Sequence, residues 1–157
     1  MVESTDDTVS AEIVELYSGL IAAWNTAEAT RCADLCTADG SLVGFDGNAI
    51  DGRGEIERRL GEIFAHHSTA TYVSKIHSVH AFGESHVLLE AVAGMVPPGG
   101  SDINPDVNAV QCLTASRTGG RWRIEHYQNT PAAYHRRPAA QRALNDELRR
   151  LLPHASE

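Results

Sequence analysis

The first apolar stripe of the chain starts at Ile13, and Leu16, Tyr17, Leu20 and Trp24 continue it at helical spacing. That pattern predicts an amphipathic helix of about four turns. Ser10 is its expected N-cap and Glu12 lies in its first turn. Residues 1–9 are polar and acidic, and read as a disordered tail. A shorter helix is expected next, with Ala29, Cys32, Ala33 and Cys36 along one side and Asp39-Gly40 as its end. Ser41-Leu42-Val43-Gly44-Phe45 reads as a short strand that turns at Asp46-Gly47-Asn48. Ile56, Leu60, Ile63 and Phe64 then return to helical spacing, between Gly52-Arg53-Gly54 and His66-His67.

From residue 70 the period changes to two. Segments 70–82, 86–96, 108–118 and 121–130 are rich in Val, Thr, Tyr and Ile. Gly83-Glu84, a long loop and Gly119-Gly120 separate them, which predicts an antiparallel meander. Pro138 opens a last helix, striped by Leu144, Leu148, Leu151 and Leu152. Helices followed by strands predict an α+β fold, a single domain over 10–152. Its curved antiparallel sheet packs against the N-terminal helices on one face, and a C-terminal helix completes it. A bent sheet capped by helices makes a cone, whose central pocket is apolar with a few polar groups.

Composition narrows the function classes. The 157 residues are 42% hydrophobic and 22% charged, enough to fold as a globular domain without metal or disulfide. The net charge is -8 and the single lysine is Lys75, which argues against nucleic acid or an anionic membrane as partner. No segment approaches the roughly 20 apolar residues of a membrane span. The start, Met1 to Asp7, is acidic where a secretory leader is basic and then apolar. Cys32, Cys36 and Cys112 read as small buried thiols, so a cytoplasmic protein is expected.

Ala22-Ala23-Trp24-Asn25 closes the first helix and Gly120-Arg121-Trp122-Arg123-Ile124 sits on a late strand. With the order of elements, these resemble the nuclear transport factor two-like superfamily, in its SnoaL-like and ketosteroid-isomerase-like branch. Five further motifs are most similar to the SgcJ-type proteins of enediyne antibiotic clusters. They are Gly44-Phe45-Asp46-Gly47, Ala70-Thr71-Tyr72-Val73, Ala93-Gly94-Met95-Val96-Pro97-Pro98-Gly99-Gly100-Ser101-Asp102, Asn108-Ala109-Val110-Gln111 and Tyr127-Gln128-Asn129-Thr130-Pro131. The resemblance spans most of 10–150. It implies a cone-shaped pocket, a small apolar substrate such as a polyene or polyketide, and a homodimer; a polyketide synthase is the partner expected if the protein is a docking module. It does not imply one chemistry, since the fold hosts isomerases, cyclases, hydrolases, dehydratases and proteins that only bind. The general base of ketosteroid isomerases corresponds to a position at or near Gly44, and their oxyanion-hole tyrosine to Leu20. Both places lack the side chain that chemistry needs, and Asp46 is a displaced acid or simply part of a turn.

Alternation along the last strand places Trp122, Ile124, His126, Gln128 and Thr130 on one face. Trp122 and Ile124 make that the inward face, so His126 and Gln128 are expected in the pocket. Histidine gives and takes a proton near neutrality, and an amide holds a carbonyl or enolate oxygen. His126 is therefore the expected proton carrier, with Gln128, Gln111 and Tyr72 orienting or polarising a carbonyl. Their alternative is to pair with one another or with backbone and fill the cone. Trp24, Phe45, Phe64, Met95 and Trp122 are expected as wall, with Asp46 and Glu90 as further lining residues. The loop at 97–107 is expected as an ordered rim. Asp102, Asn104 and Asp106 begin like a calcium loop, but Val107 and Leu113 stand where glycine and glutamate are needed. His77 and His80 differ in parity and are expected on opposite faces. No metal and no cofactor is expected. The reading is a cofactor-free proton-transfer enzyme (isomerase, cyclase or dehydratase), or a protein that binds and shields a reactive polyene, or a docking module.

Overall fold

The computed structural model describes residues 2–153, with side chains from residue 7 onward. Helix α1 spans Val2–Asn25, α2 Ala29–Asp34 and α3 Arg53–His66, and α4 spans Pro138–Arg149. The strands are β1 (Cys36–Val43), β2 (Ala49–Asp51), β3 (Thr71–Phe82), β4 (His86–Val96), β5 (Ala109–Thr118) and β6 (Arg121–Pro131). They form one sheet in the order β2-β1-β6-β5-β4-β3. The meander from β3 to β6 is antiparallel, as its turn spacing predicts. β1 then joins the free edge of β6 in parallel, which local sequence cannot signal.

Two boundaries differ from expectation. Residues 2–9, expected as a tail, are the first turns of α1, and Ser10 lies inside the helix instead of capping it. No Gly or Pro interrupts Val2 to Ser10, and acidic residues suit a helix N-terminus. Asp39-Gly40, expected to end a helix, lie within β1. A Cβ on Gly40 would stand 2.9 Å from the Ile124 carbonyl oxygen, so glycine lets β1 close on β6 at this irregular point.

The concave face carries the main core. Ile13, Leu16, Tyr17, Leu20 and Ile21 of α1 meet Ile56 and Leu60 of α3 and the inward row Val87, Leu89, Ala91, Ala93 of β4. The last helix departs from the one-sided arrangement. α4 packs on the opposite, outer face, where Leu144 and Leu148 bury against Val92 and Ile103. The loop before β5 lies there too. Ile103 is buried and the Arg149 guanidinium bonds Asp102 at 3.0 and 3.3 Å, so this loop seats α4 and does not rim the cone. Gly94 makes the approach possible, because a Cβ there would lie 2.9 Å from Ile103 Cγ2 and 3.1 Å from Leu148 Cδ1.

That contact sets a stability test. Gly94→Val overpacks the outer core and is expected to cost roughly 1–3 kcal/mol. Leu148→Ala leaves a cavity and is expected to cost about 2–5 kcal/mol. Urea unfolding should show lower midpoints at an unchanged slope, and a Gly94→Val protein as stable as wild type would contradict the packing described.

Candidate functional site

The inner face of β6 is set by one extra residue. Thr114 of β5 stands opposite His126, and the next residue, Ala115, stands opposite Ile124. Glu125 has no partner of its own on β5, a β-bulge that reverses the alternation beyond it. Trp122 and Ile124 face inward as expected, but the inward pair that follows is Tyr127 and Asn129, both buried. His126 and Gln128, expected in the pocket, lie on the outer face. There the half-buried His126 meets the Ser41 hydroxyl through Nδ1 at 2.7 Å and Gln128 Oε1 through Nε2 at 2.9 Å. The usual pairing alternative thus describes these two side chains. β3 has a similar irregularity at His77, between the pairs Ile76–Ala91 and Ser78–Glu90. It places both His77 and His80 outward, on different carboxylates: Glu147 of α4 at 2.7 Å and Glu90 at 3.8 Å.

The inward amides and phenols form one chain of hydrogen bonds. Tyr17 of α1 donates its O–H to Gln111 Oε1 at 2.5 Å. Gln111 Nε2 donates to Asn129 Oδ1 at 2.8 Å, and Asn129 Nδ2 donates to the Tyr72 phenol oxygen at 3.1 Å. Every bond points the same way, from α1 across β5 and β6 to β3. Tyr72 accepts at the end of the chain, so its own proton is left to be given, and it has no acceptor among the described residues. Asn25 clamps the backbone of Tyr72 from both sides, at 2.9 and 3.1 Å, which fixes this residue against the end of α1.

Above this floor lies a cavity of about 360 Å³, within the ~300–1,000 Å³ range of small-molecule sites. α1 supplies Leu20, Ile21 and Trp24, and α3 supplies Leu60 and Ile63. The β1–β2 turn supplies Phe45, Asp46 and Asn48, and the sheet supplies Tyr72, Met95, Tyr127 and Asn129. Of the expected lining, Trp24, Phe45, Asp46, Tyr72 and Met95 are brought together here. Phe64 supports the wall from behind, edge-on to Trp24 with ring centroids 5.1 Å apart. Gln111 is fully buried beneath the floor as a relay and does not line the space. Trp122 faces inward at the other end of the sheet, against a different cavity. Glu90 is exposed on the outer face, where its carboxylate accepts from the Ser78 hydroxyl. Asp46 sits at the turn, its Oδ1 accepting from Asn48 N at 3.0 Å.

Tyr17, Tyr127 and Asn129 were not among the expected site residues. Tyr17 was part of the α1 stripe, one turn before Leu20. A signal for the other two was present: Trp122, Ile124 and the large ring of Tyr127 share a face only if an extra residue stands between them.

No family model matches this chain, and no curated protein matches it either. Solved structures match well. A domain of unknown function with a cystatin-like fold from Nostoc punctiforme shares 19% identity, with 90% of this chain and 95% of that one covered, at a TM-score of 0.75. A ketosteroid isomerase-like protein from Erwinia carotovora shares 16% identity over 78% and 95% of the two chains, with a TM-score of 0.62. A nuclear transport factor two-like protein of unknown function from Shewanella oneidensis shares 14% over 77% and 98%, with a TM-score of 0.63. The fold is therefore the α+β cone of these proteins.

Burial keeps the floor neutral. Desolvation pushes the Tyr17 phenol up to about 12, weakly opposed by the Ser74 hydroxyl, and raises Tyr72 and Tyr127 as well. Cys32, in the cavity wall, is likewise pushed up to about 12, and Cys36 to about 11, mainly by burial. These folded values lie above the ordinary 9.0 of a thiol and 10.0 of a phenol. At lower pH both states hold these protons and the stabilisation is complete. As pH rises through the range from 9 to 12, the unfolded chain releases protons that the folded chain keeps, so stability falls. Urea midpoints are expected to decrease steadily above about pH 9, and a midpoint constant to pH 11 would contradict the burial of these groups.

Proposed function

We propose that the protein takes an elongated apolar molecule bearing a carbonyl into the central cavity and moves a proton on it. The class of molecule is a polyene or polyketide intermediate of the enediyne type, in antibiotic secondary metabolism. The observation that carries this reading is the directed chain ending on Tyr72. Each bond in such a chain polarises the next, so the terminal O–H is a stronger donor than an isolated phenol. It meets the carbonyl oxygen of the ligand and stabilises the negative charge that grows there when a neighbouring C–H bond breaks. Asp46 is the one carboxylate among the described residues lining the cavity, and it accepts that proton. Returning the proton to another carbon completes an isomerisation, and passing it to a departing hydroxyl, which leaves as water, completes a dehydration. Tyr72 stays protonated throughout because burial disfavours its anion. The ketosteroid isomerase-like neighbour, alike in fold, makes such chemistry a natural use of the cone.

One observation favours a binding and shielding role instead. Asp46 already spends one oxygen on its turn and is exposed, while the rest of the wall is nearly all apolar. A polyene held there is kept from water whether or not a proton moves.

Incubation with a conjugated polyene ketone, followed by absorption and mass, separates the two. Turnover is expected to fall roughly 100- to 10,000-fold in Asp46→Asn, and to survive His126→Ala, whose side chain points away. Tight binding with unaltered polyene would establish the shield. Loss of activity in His126→Ala with folding intact would overturn this reading of the site.

The outer face of β5 and β6 beyond α4 carries Val110, 38% exposed, with half-buried Cys112, Thr114, His126 and Gln128. We propose it as the surface for a second copy of the chain. Light scattering at micromolar concentration is expected to give a dimer that Val110→Glu dissociates; a monomeric wild type would remove the proposal.

A further inference from the structure

The outer pairing of His126 has a fixed direction. Gln128 Oε1 is an acceptor only, so the imidazole Nε2 that meets it at 2.9 Å carries the ring proton. Nδ1 then holds the lone pair, and the Ser41 hydroxyl 2.7 Å away donates to it. The three side chains stand in a row where β1 runs beside β6, because Ser41 is the register partner of His126. Gly40, at which β1 closes on β6, brings Ser41 to this place. All three residues are half-buried, so the row is open on its outer side. Among the described residues no other side chain hydrogen-bonds Ser41 Oγ, and its lone pairs are free. The neighbours on β5 are Thr114, opposite His126, and Cys112, opposite Gln128. Glu125, next to His126 in the chain, accepts from the Thr37 hydroxyl instead.

A hydroxyl on a base whose far nitrogen is held by a third group is the arrangement that makes a serine nucleophilic. A hydroxyl both gives and accepts, so Ser41 alone would suit either tautomer of His126. Gln128 selects the one in which the serine gives up its proton, and an amide serves in that orienting place in known catalytic triads. We propose that Ser41 is a second reactive centre of this protein, a nucleophile that takes acyl groups from small carboxylic esters. Ser41 Oγ attacks the ester carbonyl carbon while its proton passes to His126 Nδ1. The bond from that carbon to the alkoxy oxygen breaks, the proton goes to the departing oxygen, and the alcohol leaves with the acyl group on Ser41. Water then attacks the acyl carbon and gives a proton to the same Nδ1. That proton returns to Ser41 Oγ as the carboxylic acid departs. Thr114, Cys112 and Gln128 are short or neutral side chains, which suits a small uncharged ester. The centre does not depend on what the central cavity binds. It shares its face with the surface proposed for a second copy, so the Val110→Glu protein is tested beside wild type.

The probe is p-nitrophenyl acetate at neutral pH. Release of nitrophenolate is expected, with an acetyl group on Ser41 found by peptide mapping and mass. The chain also has eight histidines and three cysteines that react with such esters, so the mapped position decides and not the release alone. Ser41→Ala should remove the adduct. His126→Ala is expected to slow acetylation of Ser41 roughly 100-fold or more, with an unchanged urea midpoint showing that the fold is intact. Gln128→Ala, which frees the tautomer, should slow it too, and Gln128→Glu, which keeps an acceptor at Nε2, should restore it. Acetylation of Ser41 in Val110→Glu alone supports the proposal and places the centre beneath the second copy. Absence of acetyl on Ser41 in both wild type and Val110→Glu overturns it. So does an adduct found only on histidine or cysteine, or acetylation of Ser41 that His126→Ala or Gln128→Ala leaves unchanged.

Discussion

The extra residue at Glu125 is the constraint on which the interior depends. A strand shows alternate faces, so one added residue exchanges the faces of everything beyond it. Without the bulge, β6 would present His126 and Gln128 to the helices and put the ring of Tyr127 into solvent. With it, Trp122, Ile124 and Tyr127 share the apolar side, and Asn129 falls opposite Gln111. That pairing is what lets two amides be buried at all, because each supplies the partner the other needs. The bulged residue itself stays outside, where Glu125 accepts from the Thr37 hydroxyl at 3.3 Å.

The chain Tyr17–Gln111–Asn129–Tyr72 then ties the covering helix to three strands of the sheet. It starts on the helix that covers the sheet, crosses two central strands and ends on the strand at the edge. A partly satisfied network of this kind would be worse than an apolar core, and here each of the four side chains finds a partner, with the Tyr72 proton left to give. The Tyr72 phenol is a polar end in a wall that is mostly apolar.

The outer face stiffens what the inner face uses. α4 and the loop holding Ile103 press on β3 and β4 where Gly94 leaves room, so the strands carrying Tyr72 and Met95 are packed on both sides. Between the two cavities, the buried Ile13, Tyr17, Leu89 and Leu113 fill the middle of the concave face.

The sequence by itself determined the element types, their order and the concave core. Helical and strand periods are local, and Ile13, Leu16, Leu20, Ile56, Leu60, Val87 and Leu89 each declare a buried side through their neighbours. It also marked Trp24, Phe45, Asp46, Tyr72 and Met95 as lining, because a cone needs large side chains at its open end. Tertiary structure alone decided the rest. A bulge is a mismatch between two strands, so nothing within β6 shows that Glu125 is the unpaired residue, and His126 and Tyr127 exchange roles only when β5 is alongside. The same holds for α4, whose leucine stripe requires a partner but does not say which face of the sheet provides it. Gly94 answers that question, and it does so only once Ile103 and Leu148 are seen to converge on it.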